Sequence, residues 1–473
     1  MSERIRRLLA RAEKGAFAPV DIASIVFFRI SFGLLMAWHA WTFFTEHRLT
    51  GYFLEPRLLF KYYGFGWVHP WPGDGLYTLK IAMGIFALFT AVGFIYRASA
   101  ALFLLSYLYF FLLDESRYQN HEYLICLFSL LLIFIPAHRA LSVDAIVRPR
   151  LRAQTVPAWA LWLLRGQMGV VYFYGGIAKI NPDWLRGEPM RWVMAHHLDF
   201  PIIGRFFTEE WAVYVMSYGA LFLDLFIVPF LLWRRTRTAA FCLVALFHLM
   251  NARLFSIDIF PWLAIATTTL FLSPDWPRRP VSIFNRRNRS DVASGMIPNQ
   301  RKQKVILALV IAYLAIQFLI PLHPFLLSRG GQWAFMQHRF CWRMMLQRQS
   351  VQGYFYVTDP TSDGTNRVSP QDFLTPLQMV RIYWQPDTIL QCAHYLARTM
   401  PRMGSKPLTV EARIFISVNG RRPELFVNPT IDLAAESRSL LLPRWVLPTH
   451  EPLPQPGKDF SEDLFGTAIQ TKD

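Results

Sequence analysis

Apolar runs long enough to cross a bilayer recur through the first two thirds of this chain, and nothing else in it restricts folding as strongly. They fall near residues 21–44, 77–96, 98–113, 121–137, 157–181, 211–233, 238–254, 256–273 and 304–325. A helix rises about 1.5 Å per residue, so roughly 17–25 apolar residues span the ~30 Å hydrocarbon core. Inside that core each segment must satisfy its own backbone N–H and C=O groups, which makes helices the expected structure. Composition agrees, because 53% of the 473 residues are hydrophobic and only 17% charged, a balance that favours membrane over cytosol. Arg4, Arg6, Arg7, Arg11 and Lys14 look like the basic head of a signal peptide, but the apolar run from Asp21 to Phe44 is too long for a cleaved segment.

The net charge of +17 would fit a nucleic-acid partner if the basic residues formed a continuous surface. They lie instead in short blocks between apolar runs, where the positive-inside rule expects them, so no nucleic acid is implied. A cytoplasmic N-terminus puts Arg97, the 138–152 loop, Arg234 to Arg237 and the 278–304 loop on the cytoplasmic side. The opposite faces, 45–76, 114–120, 182–210 and a turn near Arg253, are poorer in basic residues and richer in aromatics. With about nine spans, everything after Phe325 lies on the exoplasmic side. The sequon at Asn288 falls in a cytoplasmic loop and predicts no glycan.

The C-terminal part is of another kind. Val410, Ala412, Ile414, Ile416 and Val418 alternate with Glu411, Arg413 and Ser417, the period of a half-buried strand. Asn419-Gly420 predicts a hairpin turn toward Leu425 to Val427, Gly353 to Thr358 an extended run, and 386–403 an amphipathic helix. The expected fold is therefore mainly α: a polytopic membrane domain of about nine spans at 21–325, with a basic N-terminus at 1–20. A small exoplasmic α+β domain follows at 326–448, and a loosely ordered tail at 449–473. Four cysteines are too few for a disulfide framework; Cys126 and Cys242 read as core residues, while Cys341 and Cys392 share one domain and are a possible pair. No internal repeat is evident, and no metal-ligand cluster stands out.

Ionisable residues inside spans need a reason. Arg29, Arg165 and Asp224 sit well within theirs, and the simplest expectation is that they pair with one another. His121, Lys179 and His248 lie at the predicted outer ends of spans, at one membrane level. Lys179 follows Gly175-Gly176, which permit close backbone approach, and precedes the helix stop Pro182-Asp183-Trp184. A lysine held there partly out of water is expected to serve as a base, unless Asp183 pairs with it.

Around these residues the sequence resembles the vitamin K-dependent γ-carboxylase family, the catalytic branch of the wider HTTM membrane group. The matching stretches are Phe111-Leu-Leu-Asp114 with Asn120-His121-x-Tyr123-Leu124, Leu164-Arg-Gly-Gln167, and Val171-Tyr-Phe173 leading through Gly176 and Lys179 to Asp183-Trp184. Leu223-Asp224-Leu225, Phe247-His248-x-Met250-Asn251, Ser273-Pro274-x-Trp276-Pro277-Arg278, Trp342-x-Met344-Met345 and Ile416-Ser417-Val418-Asn419 continue the match in one order over about residues 20–450. The resemblance implies that reduced vitamin K (a phylloquinone or menaquinone type) is epoxidised with O₂. The strongly basic species formed on the way removes the γ-proton of a glutamate in a protein or peptide substrate, and CO₂ is captured there. By position Lys179 corresponds to the base and His121 to the histidine of the carboxylation half, with Asn120, His248 and Asn251 lining the quinol pocket. His338, Cys341 and Trp342 fall in the stretch presumed to meet the glutamate.

The sequence departs from the family there. Its Tyr-x-Tyr-Ser-Trp-x-Met-Met reads His338-Arg-Phe340-Cys341-Trp342-Arg343-Met344-Met345, and Ala178 replaces a lysine found beside the base in animal members. Those members also continue into a further β-rich domain, so a bacterial inner-membrane enzyme is the expectation. Two other functions compete with carboxylation: a quinol-epoxidising membrane enzyme that does not carboxylate, and a transporter or lipid-binding scaffold. The second would show repeats and a midplane site, neither of which is evident.

Overall fold

The computed structural model describes residues 3–461 apart from 256, 280–298, 325–338, 363, 380–381, 383–384, 403, 442, 449 and 456–457. His338, Asn288 and Phe325 therefore lie outside the described residues. A basic amphipathic helix, α1 (Glu3–Ala16), precedes nine helices, one in each predicted apolar run. These are α2 (Ala23–Thr45), α3 (Gly75–Val92), α4 (Tyr96–Leu113), α5 (Asn120–Phe134), α6 (Ala158–Ala178), α7 (Glu210–Leu232), α8 (Arg237–Leu254), α9 (Phe260–Thr268) and α10 (Gln300–Leu319).

Among the described residues five of them, α2, α3, α4, α7 and α10 with its extension to Leu322, are long and apolar enough to cross a membrane. The expected nine is not reached on that measure, for physical reasons that differ between helices. The α5 helix has 15 residues, and α9 only 9 before a 3-10 turn, Thr269–Phe271, continues it. The other two are long enough but carry more polar groups: Arg165 and Gln167 on α6, Arg237, His248 and Arg253 on α8.

Small residues set the helix spacing, as expected where lipid offers no hydrophobic driving force between helices. At Gly33 on α2 an added Cβ would stand 2.6 Å from the Ala87 oxygen and the Ala91 nitrogen of α3. A two-stranded ribbon, β1 (Pro19–Asp21) with β2 (Thr155–Pro157), ties the start of α2 to the start of α6.

The buried arginines do not pair with Asp224. Arg29 Nε donates to the Ala91 carbonyl at 3.2 Å and its Nη1 to those of Ala137 at 2.7 Å and Ala140 at 3.2 Å. Arg165 Nε donates to the Leu270 carbonyl at 2.8 Å and Nη2 to that of Leu272 at 3.1 Å. A guanidinium has five donors in a fixed fork, so it saturates carbonyls that chain ends leave unpaired, and the negative end of the helix dipole favours it there. The expectation of mutual pairing is overturned because those carbonyls are nearer partners than a distant carboxylate.

The C-terminal domain is an antiparallel sheet of β3 (Gln349–Asp359), β4 (Gly364–Val368), β5 (Thr409–Val418) and β6 (Glu424–Leu425) in the order β4-β3-β5-β6. The predicted alternation holds from Val410 to Ile414, with Val410, Ala412 and Ile414 buried and Glu411 and Arg413 exposed, but it lapses at Ser417, which is buried and donates to the Arg421 carbonyl. Asn419 and Gly420 take φ of 52° and 75°, the pair of positive values that a tight hairpin needs. One face of the sheet packs on helix α11 (Pro386–Thr399) through Ile389, Cys392 and Ala393, and Phe60, from the loop after α2, enters the same core. Strand β4 was not expected, since its residues Gly-Thr-Asn-Arg-Val are nearly all exposed and show no alternation. Cys341 and Cys392 are both buried and unpaired, so the possible disulfide is not formed. Cys392 points into the domain core, while Cys341 Sγ sits 3.6 Å from His323 Nδ1.

Candidate active site

Lys179 follows the last turn of α6, where its backbone N–H closes the helix on Gly176. Its ammonium nitrogen donates to Asp224 Oδ2 of α7 at 2.6 Å and to the Gly175 carbonyl at 3.1 Å, and both side chains are 7% exposed. Gly175-Gly176 make this pairing possible. A Cβ at Gly176 would stand 2.9 Å from the Leu225 nitrogen, and one at Gly175 would stand 3.1 Å from Asp224 Oδ2. Close approach was legible in the sequence, but the acid it admits was assigned elsewhere.

Asp183 does not compete for the lysine. It accepts two hydrogen bonds from Arg421, at 2.7 and 2.8 Å, and one from Asn419 at 2.7 Å. The bidentate pair fixes the β5–β6 hairpin, and so the C-terminal domain, beside the end of α6. Asn181 caps the short helix Pro182–Leu185, and the Trp184 indole N–H donates to the Ser217 carbonyl at 2.8 Å. Helix α7 runs from Glu210 to Asp224 past the level of the lysine, roughly 20 Å at 1.5 Å per residue. The short helices 182–185 and 190–195 pack against that part, which explains how a lysine at a helix end is buried.

The pair forms one wall of a cavity of about 810 Å³. Of the sequence-predicted residues, Asn120, His121, Lys179, His248 and Asn251 all line it. Tyr172 OH lies 3.0 Å from His248 Nε2 and 3.2 Å from Thr268 Oγ1, while His248 Nδ1 is buried with no hydrogen-bond partner among the described residues. His121 and His248 lie on the Phe260 ring at centroid distances of 6.0 and 5.7 Å. Asn120 has a mainly structural set of contacts: its Nδ2 donates to the Arg343 carbonyl at 2.8 Å and its Oδ1 accepts from Tyr118 OH at 3.0 Å.

Cys341 and Trp342 are not among the residues that line the cavity. Trp342 is 1% exposed and stacks on Tyr123, and burial pushes the Cys341 thiol up to about 12, so it is no thiolate at neutral pH. The same segment instead offers Arg339, Arg343 and Met344 to the cavity. Phe340, Trp342 and Met345 all take positive φ, between 55° and 60°, so the backbone there is strained, and the strain lies at the cavity's edge.

The opposite side is apolar and open. Phe222, Phe226 and Phe230 of α7 and Leu243 and Leu246 of α8 line the cavity while remaining about half exposed, on helix faces that would meet lipid. The volume lies in the range of pockets that enclose a drug-sized molecule.

Three residues that line the cavity, Asp224, Tyr172 and Arg343, are not assigned to a site by the sequence. Asp224 was recognised but given the wrong partner; the signal was that a lysine and an aspartate of opposite charge both lay in spans beside small residues. Tyr172 sits within the quoted Val171-Tyr-Phe173 stretch, seven residues before Lys179, and so two helical turns away on the same face. Arg343 stood in the x position of a motif and was passed over.

A family model of the HTTM domain matches residues 17–276, and one of the vitamin K-dependent gamma-carboxylase lumenal domain matches residues 302–452. No solved structure matches the chain. The first match covers more than half of the sequence and includes Lys179, Asp224, His121 and His248; the second covers the sheet domain and the Arg343 segment. With its apolar helices and matches to both domain models along one chain, the chain is a membrane protein that belongs to the vitamin K-dependent gamma-carboxylase family.

Proposed function

We propose that this protein carboxylates the γ-carbon of glutamate in a protein or peptide, coupled to epoxidation of reduced vitamin K by O₂. The observation that carries this reading is the buried Lys179–Asp224 pair in the wall of a cavity that opens on one side between half-exposed apolar faces of α7 and α8 and is edged by the C-terminal domain on the other. Reduced vitamin K, when bound, supplies the chemical energy that a side chain lacks for removing a γ-carbon proton. Lys179 Nζ and Asp224 Oδ2 act as one proton-accepting unit, because a 2.6 Å hydrogen bond joins them and a proton can pass along it. Taking up a quinol proton turns a neutral pair into a cationic one, whose charge lies against the oxygen that gave the proton up. Because Lys179 is an ammonium in this pair, it can take the quinol proton only as it passes one to Asp224, which ends as the neutral acid while the ammonium keeps the quinol oxygen as its counter-charge. Tyr172 fixes the His248 ring, leaving Nδ1 for the quinol. The apolar walls and the short helices above Lys179 keep out water that would quench a strong base.

His121 lines the same cavity against Phe260 and serves the carboxylation half. The prediction is that His121→Ala lowers ¹⁴CO₂ incorporation more than epoxide formation. Equal loss of both would make His121 a packing residue and remove the argument for two functional halves.

Nine crossings and an exoplasmic C-terminal domain complete the proposal, since a lipid quinol and an external glutamate would then reach the cavity from different sides. A topology reporter placed after Phe325 is expected to read exoplasmic and one at Asn288 cytoplasmic. Both on one side would overturn the arrangement.

A further inference from the structure

Behind His121, outside the cavity, lies a second buried cluster that the proposed chemistry does not use. Lys80 on α3 is 2% exposed, and its Nζ stands 3.3 Å from the Phe43 ring centroid and 4.4 Å from that of Phe110. Among the described residues it makes no hydrogen bond and no ion pair. The charged groups that face it are Arg117, Glu122, Asp258 and Arg48. Both acids already have arginine partners: Glu122 lies 3.7 Å from Arg117, and Asp258 lies 2.7 Å from Arg48. Of the three fixed cations Lys80, Arg117 and Arg48, Lys80 is therefore the one without an acid partner among the described residues.

Beside it lies His39, which is 3% exposed and packs on the same Phe43 ring at 5.3 Å. Its Nδ1 is 3.7 Å from Asp258 Oδ2, and it is faced by Lys80, His121, Arg48 and Arg117. The cluster thus joins a lysine amine enclosed by aromatic rings, an imidazole next to a carboxylate, and an arginine lying over Tyr52 at 3.3 Å.

We propose that Lys80 binds CO₂ reversibly as a carbamate and forms a CO₂ reserve next to His121. The neutral amine is the nucleophile. Its nitrogen forms a bond to the carbon of CO₂, one C=O π bond becomes the carbamate O⁻, and the displaced N–H proton passes to His39. The amine and imidazole become an anion and a cation, so the net charge of the cluster is unchanged. Arg117 stands by the anion and Asp258 by the imidazolium. An aromatic enclosure suits CO₂, which is apolar enough to enter it, and excludes the water that would release it as bicarbonate. Reversal returns CO₂ beside His39, the ring that His121 also faces.

The inference rests on the proposed carboxylation only for the reason CO₂ is needed, and its first test requires no turnover. Purified full-length protein in nanodiscs is equilibrated with ¹³C-bicarbonate, treated with triethyloxonium to convert carbamates to stable ethyl esters, digested and analysed by mass spectrometry. The expected result is an ethyl carbamate on Lys80, heavier when the label is ¹³C and absent in Lys80→Arg. An unmodified Lys80 at saturating bicarbonate overturns the proposal, whether or not the protein carboxylates glutamate. In turnover, Lys80→Arg and Lys80→Met are expected to raise the apparent KM for CO₂ severalfold with epoxide formation unchanged. An unchanged KM for CO₂ in folded variants also overturns it.

Discussion

Lys179→Ala is expected to abolish epoxidation and carboxylation together, a loss of roughly 10²–10⁴-fold in each, the range typical of removing a positioned acid–base group. The two outputs fall in step because deprotonation of the quinol precedes both. Lys179→Arg should not restore either, since a guanidinium stays protonated at any working pH. A small amine added to Lys179→Ala is expected to return part of the activity, with a pH profile that follows the amine. Lys179→Ala leaves Asp224 buried without its partner and so costs stability as Asp224→Asn does, but the protein should still insert, and the sheet domain stay docked, because Asp183 and Arg421 hold it beside the helix end.

The second large effect is on stability. Asp224→Asn leaves the Lys179 ammonium buried without its carboxylate, and breaking one side of a buried ion pair typically costs about 3–5 kcal/mol. Replacing both partners, as in Lys179→Met/Asp224→Leu, removes the charge with its counter-charge and is expected to be near neutral in stability. The single variant should therefore unfold at a lower temperature than the double one, although both are inactive. Thermal unfolding in detergent reads the order directly; a double variant less stable than Asp224→Asn would show that an unpaired buried ammonium is not what destabilises the single variant. This ranking separates the pair's two roles, because stability returns in the double variant and activity does not.

Much of this architecture was legible in the sequence because its physics is local. An apolar run of twenty residues or a strand alternating as Val410 to Val418 does carries its own period, and a helix or strand lies at each such place. Close approach at Gly175-Gly176 was legible for the same reason: two adjacent glycines in a span imply a neighbour with no room for a Cβ. What the neighbour brings was not legible, since Asp224 lies 45 residues away and only packing selects Lys179 over two arginines. Those arginines took backbone carbonyls, partners that no side-chain pattern reveals. The glutamate-side residues show the same limit. Cys341 and Trp342 looked equivalent to Arg343 in the chain, but a backbone with positive φ at Phe340 and Trp342 turns the tryptophan into the core, while Arg343 lines the cavity. Strand β4, polar on both faces, has no sequence period of its own and forms because β3 offers it an edge.

The central claim is that one cavity couples quinol oxidation at Lys179 and Asp224 to carboxylation of glutamate. Its most direct test is a paired assay on the purified protein, in which epoxide and acid-stable ¹⁴C are measured in the same reaction with reduced vitamin K, O₂, bicarbonate and a glutamyl peptide. The expected result is both products from the wild type, ¹⁴C only when peptide is present, and neither product from Lys179→Ala. Epoxide without any ¹⁴C incorporation would contradict the claim and leave a quinol-epoxidising enzyme, and near-normal epoxide from folded Lys179→Ala would contradict the mechanism itself.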